Sequence, residues 1–146
     1  MKMLITILAT IISSAAFAES TMIFEETASR GQEIYRLDFD VNKKLNRAWV
    51  DITVAESFGD DTHYSDSSVL VKGLSYDPEQ NGVVYDLNGE KVLCGTFYNA
   101  PWVIDYGMSF RSTGRCTLTK KKVTVEVDNG FEIYKVKKLQ VFFNVQ

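Results

Sequence analysis

The sequence predicts an all-β protein, an antiparallel β-sandwich of about seven strands with one disulfide, with a small closed β-barrel as the alternative. Three observations predict it. Apolar residues recur at every second position through most of the chain, Asn-Gly pairs fall between the alternating runs, and no segment of useful length keeps a helical period.

Residues 1–18 have the three parts of a secretory signal. Lys2 supplies a positive start, an apolar stretch runs from Leu4 to Ile12, and Ala16-Phe17-Ala18 matches the small-x-small pattern cleaved on export. The apolar run is shorter than the roughly twenty residues that span a bilayer. No Cys follows the cleavage site to carry a lipid. Residues 19–146 are expected as a single β domain, periplasmic or secreted, with no transmembrane anchor. Of 16 bases and 19 acids the signal holds only Lys2, so the remaining 128 residues carry 15 and 19, net −4. That acidity argues against nucleic acid as a partner, which needs a basic footprint. A domain of this size should bury about two thirds of its unfolded surface without a stabilising metal.

Cys94 and Cys116 are the two cysteines, and two thiols in an exported chain are expected to pair. Their spacing fits neither a Cys-x-x-Cys redox motif nor a zinc site. Closing this loop should stabilise the fold by about 3 kcal/mol.

Residues 34–41 place Tyr35, Leu37, Phe39 and Val41 on one face; residues 47–55 place Ala48, Val50, Ile52 and Val54 on one face. Matching the faces sets Val41 opposite Ala48, Phe39 opposite Val50, Leu37 opposite Ile52 and Tyr35 opposite Val54. A four-residue turn, 43–46, is left between them. Residues 69–76 read as the next strand, ended by Asp77-Pro78 and a Gln80-Asn81-Gly82 turn. Asn88-Gly89 then joins 83–87 to 90–97, setting Asp86 opposite Lys91, Tyr85 opposite Val92 and Val83 opposite Cys94. Cys94 is thereby expected to point inward.

The last hairpin turns at Asn129-Gly130. Val123, Val125 and Val127 share a face with Tyr134 and Val136, and Lys122 falls opposite Lys137. Leu139, Val141, Phe143 and Val145 carry the apolar face with the opposite parity. A β-bulge near Lys137-Lys138 is expected to reconcile the two.

Chemistry-bearing residues are sparse. The single histidine, His63, lies within 56–66, whose Ser, Asp and Gly content reads as a solvated loop. Asp60, Asp61, His63 and Asp66 are what a calcium or zinc ion would draw on there, but the regular acids of an EF-hand are missing. Asp38 opposite Asp51, with Asp40 two residues along, gives a carboxylate group in which like charges oppose. Compensation is expected from Arg36, Arg47 or a lysine of the next strand, and a glycosidase-like pair is the enzymatic reading. Lys120-Lys121-Lys122 with Lys137-Lys138 forms a basic band, while residues 48–71 hold five acids and no Lys or Arg. The band reads as edge protection against aggregation, or as a contact for an anionic polysaccharide or lipid headgroup. No catalytic set, metal site or cofactor is assigned.

The segment inside the disulfide loop is the most informative. Between Phe97 and Arg111 it holds five aromatics, and Tyr98, Trp102, Tyr106, Phe110 and Arg111 are of the types that interface centres favour. The competing reading is a cap over an open end of the sandwich. The leading expectation is a non-enzymatic binding module using this loop to recognise a protein or envelope component. A barrel carrying a small apolar ligand and a hydrolase using the acidic sheet face are the alternatives.

Overall fold

The alternating pattern resolves into ten strands in the computed structural model, which describes residues 19–98 and 109–146. The expected signal peptide, Trp102 and Tyr106 lie outside the described residues. In chain order the strands are β1 (Glu19–Ala28), β2 (Gln32–Asn42), β3 (Arg47–Phe58), β4 (Asp61–Val69), β5 (Leu74–Asp77), β6 (Gly82–Leu87), β7 (Glu90–Tyr98), β8 (Ser109–Ser112), β9 (Cys116–Asp128) and β10 (Ile133–Val145). One sheet has three strands, β1-β10-β9. The other has seven, running β2-β3-β5-β6-β7-β8, with β4 also paired to β3. Both are antiparallel, and they pack face to face as a sandwich. The barrel alternative is set aside, because two separate sheets keep their ends. Among the described strands those ends are β1 and β9 in one sheet and β2, β8 and the side strand β4 in the other.

The β2–β3 hairpin has the expected turn and register from Val41↔Ala48 to Leu37↔Ile52, and Asp38 stands opposite Asp51. The partner of Val54, however, is Ile34, not Tyr35, across a register shift. The bulge has a simple cause. It turns Ile34 inward to 3 % exposure and leaves the Tyr35 phenol in water, its ring 5.0 Å from that of Tyr64. A second shift separates Val83 from Val84, so Val83 faces Gly95 instead of Cys94. Gly95 permits this. A Cβ there would fall on the Phe110 ring and the Arg111 carbonyl.

Two segments differ from expectation because hydrogen bonding, not apolar patterning, shapes them. Residues 56–66 are not a loop: β3 runs on to Phe58 and β4 returns along it, from Phe58↔Asp61 to Val50↔Val69. Both faces of β4 are largely in water, so no alternation marks it. The expected strand 69–76 is split by a turn at 70–73. Gly73 has a φ of +92°, and the Leu74 N–H donates to the Val71 carbonyl at 3.1 Å. That turn transfers the β3 edge from β4 to β5, which joins at Arg47↔Ser75.

The β9–β10 hairpin corrects two further expectations. Its loop has four residues, 129–132, in which the Asn129 side-chain oxygen accepts from the N–H groups of Phe131 and Glu132 at 2.9 Å. The register therefore moves by two, and Lys122 faces Leu139 while Lys137 faces Thr124. No bulge interrupts β10 from Ile133 to Val145. Val123, Val125, Val127, Tyr134 and Val136 do share a face, but it is the one turned away from the core.

The core is built on β3 (Ala48, Val50, Ile52, Val54) and β10 (Leu139, Val141, Phe143, Val145), with Val83, Val92 and Cys94 from β6 and β7. Cys94 and Cys116 are bonded, both buried, with Cα atoms 4.8 Å apart. Because β7 and β9 belong to different sheets, the disulfide staples one layer to the other.

Candidate functional site

The sandwich is open along one side, where the edge strand of each sheet faces the other. β2 pairs only with β3, and β9 only with β10, so each offers a free backbone edge among the described strands. At one end these edges are bridged by lysines. Lys120 Nζ donates to the Ile34 carbonyl at 2.8 Å, and Lys122 Nζ to the Gln32 carbonyl at 2.9 Å. Charged side chains on an edge discourage unwanted strand pairing, the role expected for the basic band, and Lys120 and Lys122 are placed for it. Lys137 and Lys138 instead lie on the central strand β10, where Lys138 Nζ pairs with the Glu25 carboxylate at 2.6 Å.

Beyond Lys120 the bridge stops and a groove of about 1060 Å³ opens, at the upper end of the sizes usual for small-molecule pockets. Leu37, Phe39 and Val41 of β2 form one wall, Cys116 and Leu118 of β9 the other, and Phe97 and Phe110 close the end. Arg36, Asp38, Asp40 and Asp51 give it a charged rim. Its apolar residues continue into the core through a chain of rings. Phe97–Phe110, Phe110–Phe39 and Phe39–Phe143 centroids are 5.2, 5.6 and 6.2 Å apart, at the tilted and edge-on angles aromatic pairs favour.

The residues expected to form one recognition surface are divided by the sheet. Phe110 pairs with Phe97 and faces the core, as the capping alternative requires. Tyr98 and Arg111 sit on the opposite face of the β7–β8 pair, with the guanidinium carbon 4.8 Å from the ring centroid. Trp102 and Tyr106 fall outside the described residues. Sequence reasoning missed Leu37, Phe39, Val41 and Leu118 as groove residues, since alternation identifies them as inward-facing but cannot say which strand ends a sheet.

The acidic face of β2 and β3 is held by protein partners. Arg36 Nε lies 2.7 Å from the Asp38 carboxylate, the expected compensation. Asp51 Oδ1 accepts from Trp49 Nε1 at 3.0 Å and from Ser68 Oγ at 2.9 Å. Partial burial and the Asp40 carboxylate push the Asp51 carboxyl above its ordinary range, against the opposing pull of the Ser68 and Trp49 donors. A raised carboxyl removes stability as pH climbs through its folded value. Asp51→Asn keeps an oxygen for both donors and removes the repulsion. It should therefore stabilise the domain at pH 7 by roughly 0.2–1 kcal/mol. The gain should shrink as pH falls through the raised Asp51 value toward its ordinary 3.8, followed by urea unfolding at each pH. A variant less stable than the parent at pH 7 would contradict the repulsion.

The proposed metal residues do not converge. Asp61 and His63 share one face of β4 and Asp66 the other, where it accepts the Thr53 hydroxyl at 2.6 Å. Among the described residues no three acids, histidines or cysteines are placed to hold an ion. His63 is exposed opposite Glu56, and no nucleophile is hydrogen-bonded to it among the described residues.

Fold and groove together define a disulfide-stapled antiparallel β-sandwich with an open side. No protein-family model matches the chain, and no curated protein or solved structure matches it. Among the described residues no helix is long and apolar enough to cross a membrane, and the disulfide fits an oxidising compartment.

Proposed function

We propose that this chain is an exported, non-enzymatic binding module whose recognition surface is the open side of the sandwich. One observation carries the reading: a groove of mixed lining between two sheet edges, in which Leu37, Phe39, Leu118, Phe97 and Phe110 are bordered by charged residues. Protein–protein interfaces combine an apolar centre with a polar rim. Export rests on residues 1–18 and on the disulfide. The contribution of Trp102 and Tyr106 rests on their residue types and on the attachment of their segment at Tyr98 and Ser109, beside the groove-lining Phe97 and Phe110.

Site-specific photo-crosslinking in the native envelope tests it. A photoreactive phenylalanine analogue at position 118, half-buried in the groove wall, is expected to give a defined protein adduct. The same group at position 131, fully exposed on the remote hairpin loop, is expected to give none. Equal capture from both positions, or none from position 118, would remove the groove as a recognition surface.

A further inference from the structure

We infer that the groove takes an extended polypeptide segment of a partner protein, added as a strand between β2 and β9. This rests on reading the groove as the recognition surface, and it specifies the chemistry of what enters. The first reason is the backbone. Both long walls are edges of sheets, and an edge strand carries a row of N–H and C=O groups with no strand to pair with. At the lysine end the carbonyls of Gln32 and Ile34 are shown to point into the gap, because Lys122 and Lys120 reach them there. At the other end the Val41 N–H is bonded by the Asp40 carboxylate at 2.8 Å. Between these two capped ends, the Leu37–Phe39 stretch receives no hydrogen bond from outside its own sheet among the described residues.

The second reason is dimension. Packed sheets lie ~10 Å apart, and hydrogen-bonded strands ~4.8 Å apart. A strand added between two edges needs about twice the strand spacing, ~9.6 Å, and the packing distance between sheets is of that size. The groove-lining stretch of β2 from Arg36 to Val41 has six residues, a length of about 20 Å in extended chain, with the uncapped Leu37–Phe39 at its middle.

The third reason is the floor. Leu37, Phe39, Phe97, Phe110 and Leu118 make the interior of the groove apolar, and charged Arg36, Asp38 and Asp40 border it. An occupant with apolar side chains at every second residue sends those inward and leaves the others in water. A small apolar ligand would fill the floor but leave the strand edges unbonded. β2 and β9 run antiparallel here, Lys120 with Ile34 and Lys122 with Gln32, so the added strand is antiparallel to one wall and parallel to the other.

The probe is an acetylated, amidated decapeptide of four Val-Thr repeats with a lysine at each end, compared with two versions N-methylated on alternate amides in either phase. Methylation removes backbone donors and leaves the side chains unchanged. The parent peptide is expected to bind the full exported chain at least tenfold more tightly than either methylated version, because alternate amides face β2 and β9 in turn. Amide exchange should slow at Leu37, Phe39 and Leu118, and nowhere on β1 or β4. Equal binding of all three peptides would show that the groove takes apolar groups without strand pairing, which overturns this inference and leaves the binding-module reading in place. Protection on another edge, or no binding at all, overturns it as well. So does slow exchange at Leu37 and Phe39 in the protein alone, since the slot would then be filled by the chain itself. Failure of the crosslinking at position 118, by contrast, would remove the recognition surface irrespective of the peptide result.

Discussion

Replacing both cysteines by alanine is expected to lower stability by about 3 kcal/mol, and dithiothreitol should reproduce the loss in the unaltered chain. The main cause is the denatured state, where the bond constrains a loop between residues 22 apart. A smaller part is lost packing, since Cys94 is 0 % exposed and Cys116 2 %. The effect is large against a total stability of roughly 5–15 kcal/mol for a domain. It should appear as a lower urea midpoint and a melting point reduced by roughly 10 °C. The position of the bond gives a second readout. It joins β7 of one sheet to β9 of the other, so its loss should loosen the groove wall near Cys116 before the core of either sheet. Amide exchange in the reduced protein should accelerate first around residues 94–97 and 112–118. A loss below about 1 kcal/mol would mean that the sheets are held by packing alone, and that the bond constrains little in the unfolded chain.

What the sequence revealed and what it concealed follow from one distinction. Elements whose residues alternate between a buried and a wet face were readable, as the register from Val41↔Ala48 to Leu37↔Ile52 shows. Elements held by hydrogen bonds, with no buried apolar face, were silent. β4 is the example, because Thr62, Tyr64, Asp66 and Ser68 on one face and His63 and Ser65 on the other all meet water. β8 was hidden inside a segment whose aromatic content suggested a loop, although Phe110 simply pairs with Phe97. The groove could not be foreseen, because it depends on which strands end the sheets. Sequence order gives no sign that β2 and β9, some eighty residues apart, face each other. The parity change in β10 was seen and misassigned. A bulge would have returned every apolar residue to one core, whereas the continuous ladder places them on two faces.

Phe143→Ala is expected to cost about 3–5 kcal/mol, and Val136→Ala, seven residues earlier on the same strand, well under about 1 kcal/mol. Phe143 is 2 % exposed and the largest of the fully buried side chains among the described residues. Its ring lies 6.2 Å from Phe39 and 5.0 Å from Tyr85, centroid to centroid, so truncation opens a cavity bounded by both sheets and removes two aromatic pairs. Val136 sits opposite Val125 on the outward face of the same hairpin, where water can occupy the space left by a lost methyl group. The pair of variants distinguishes the unbroken register from a bulged one. Were a bulge present near Lys137-Lys138, Val136 would turn into the core, and its truncation would cost about 2 kcal/mol or more, as for other buried aliphatic side chains. Equilibrium urea unfolding of both variants gives the answer directly. Phe143→Ala should also widen the groove from beneath, because Phe39 leans on Phe143 and lines the groove wall. Weaker binding of the Val-Thr decapeptide by Phe143→Ala, with binding unchanged in Val136→Ala, is the accompanying expectation.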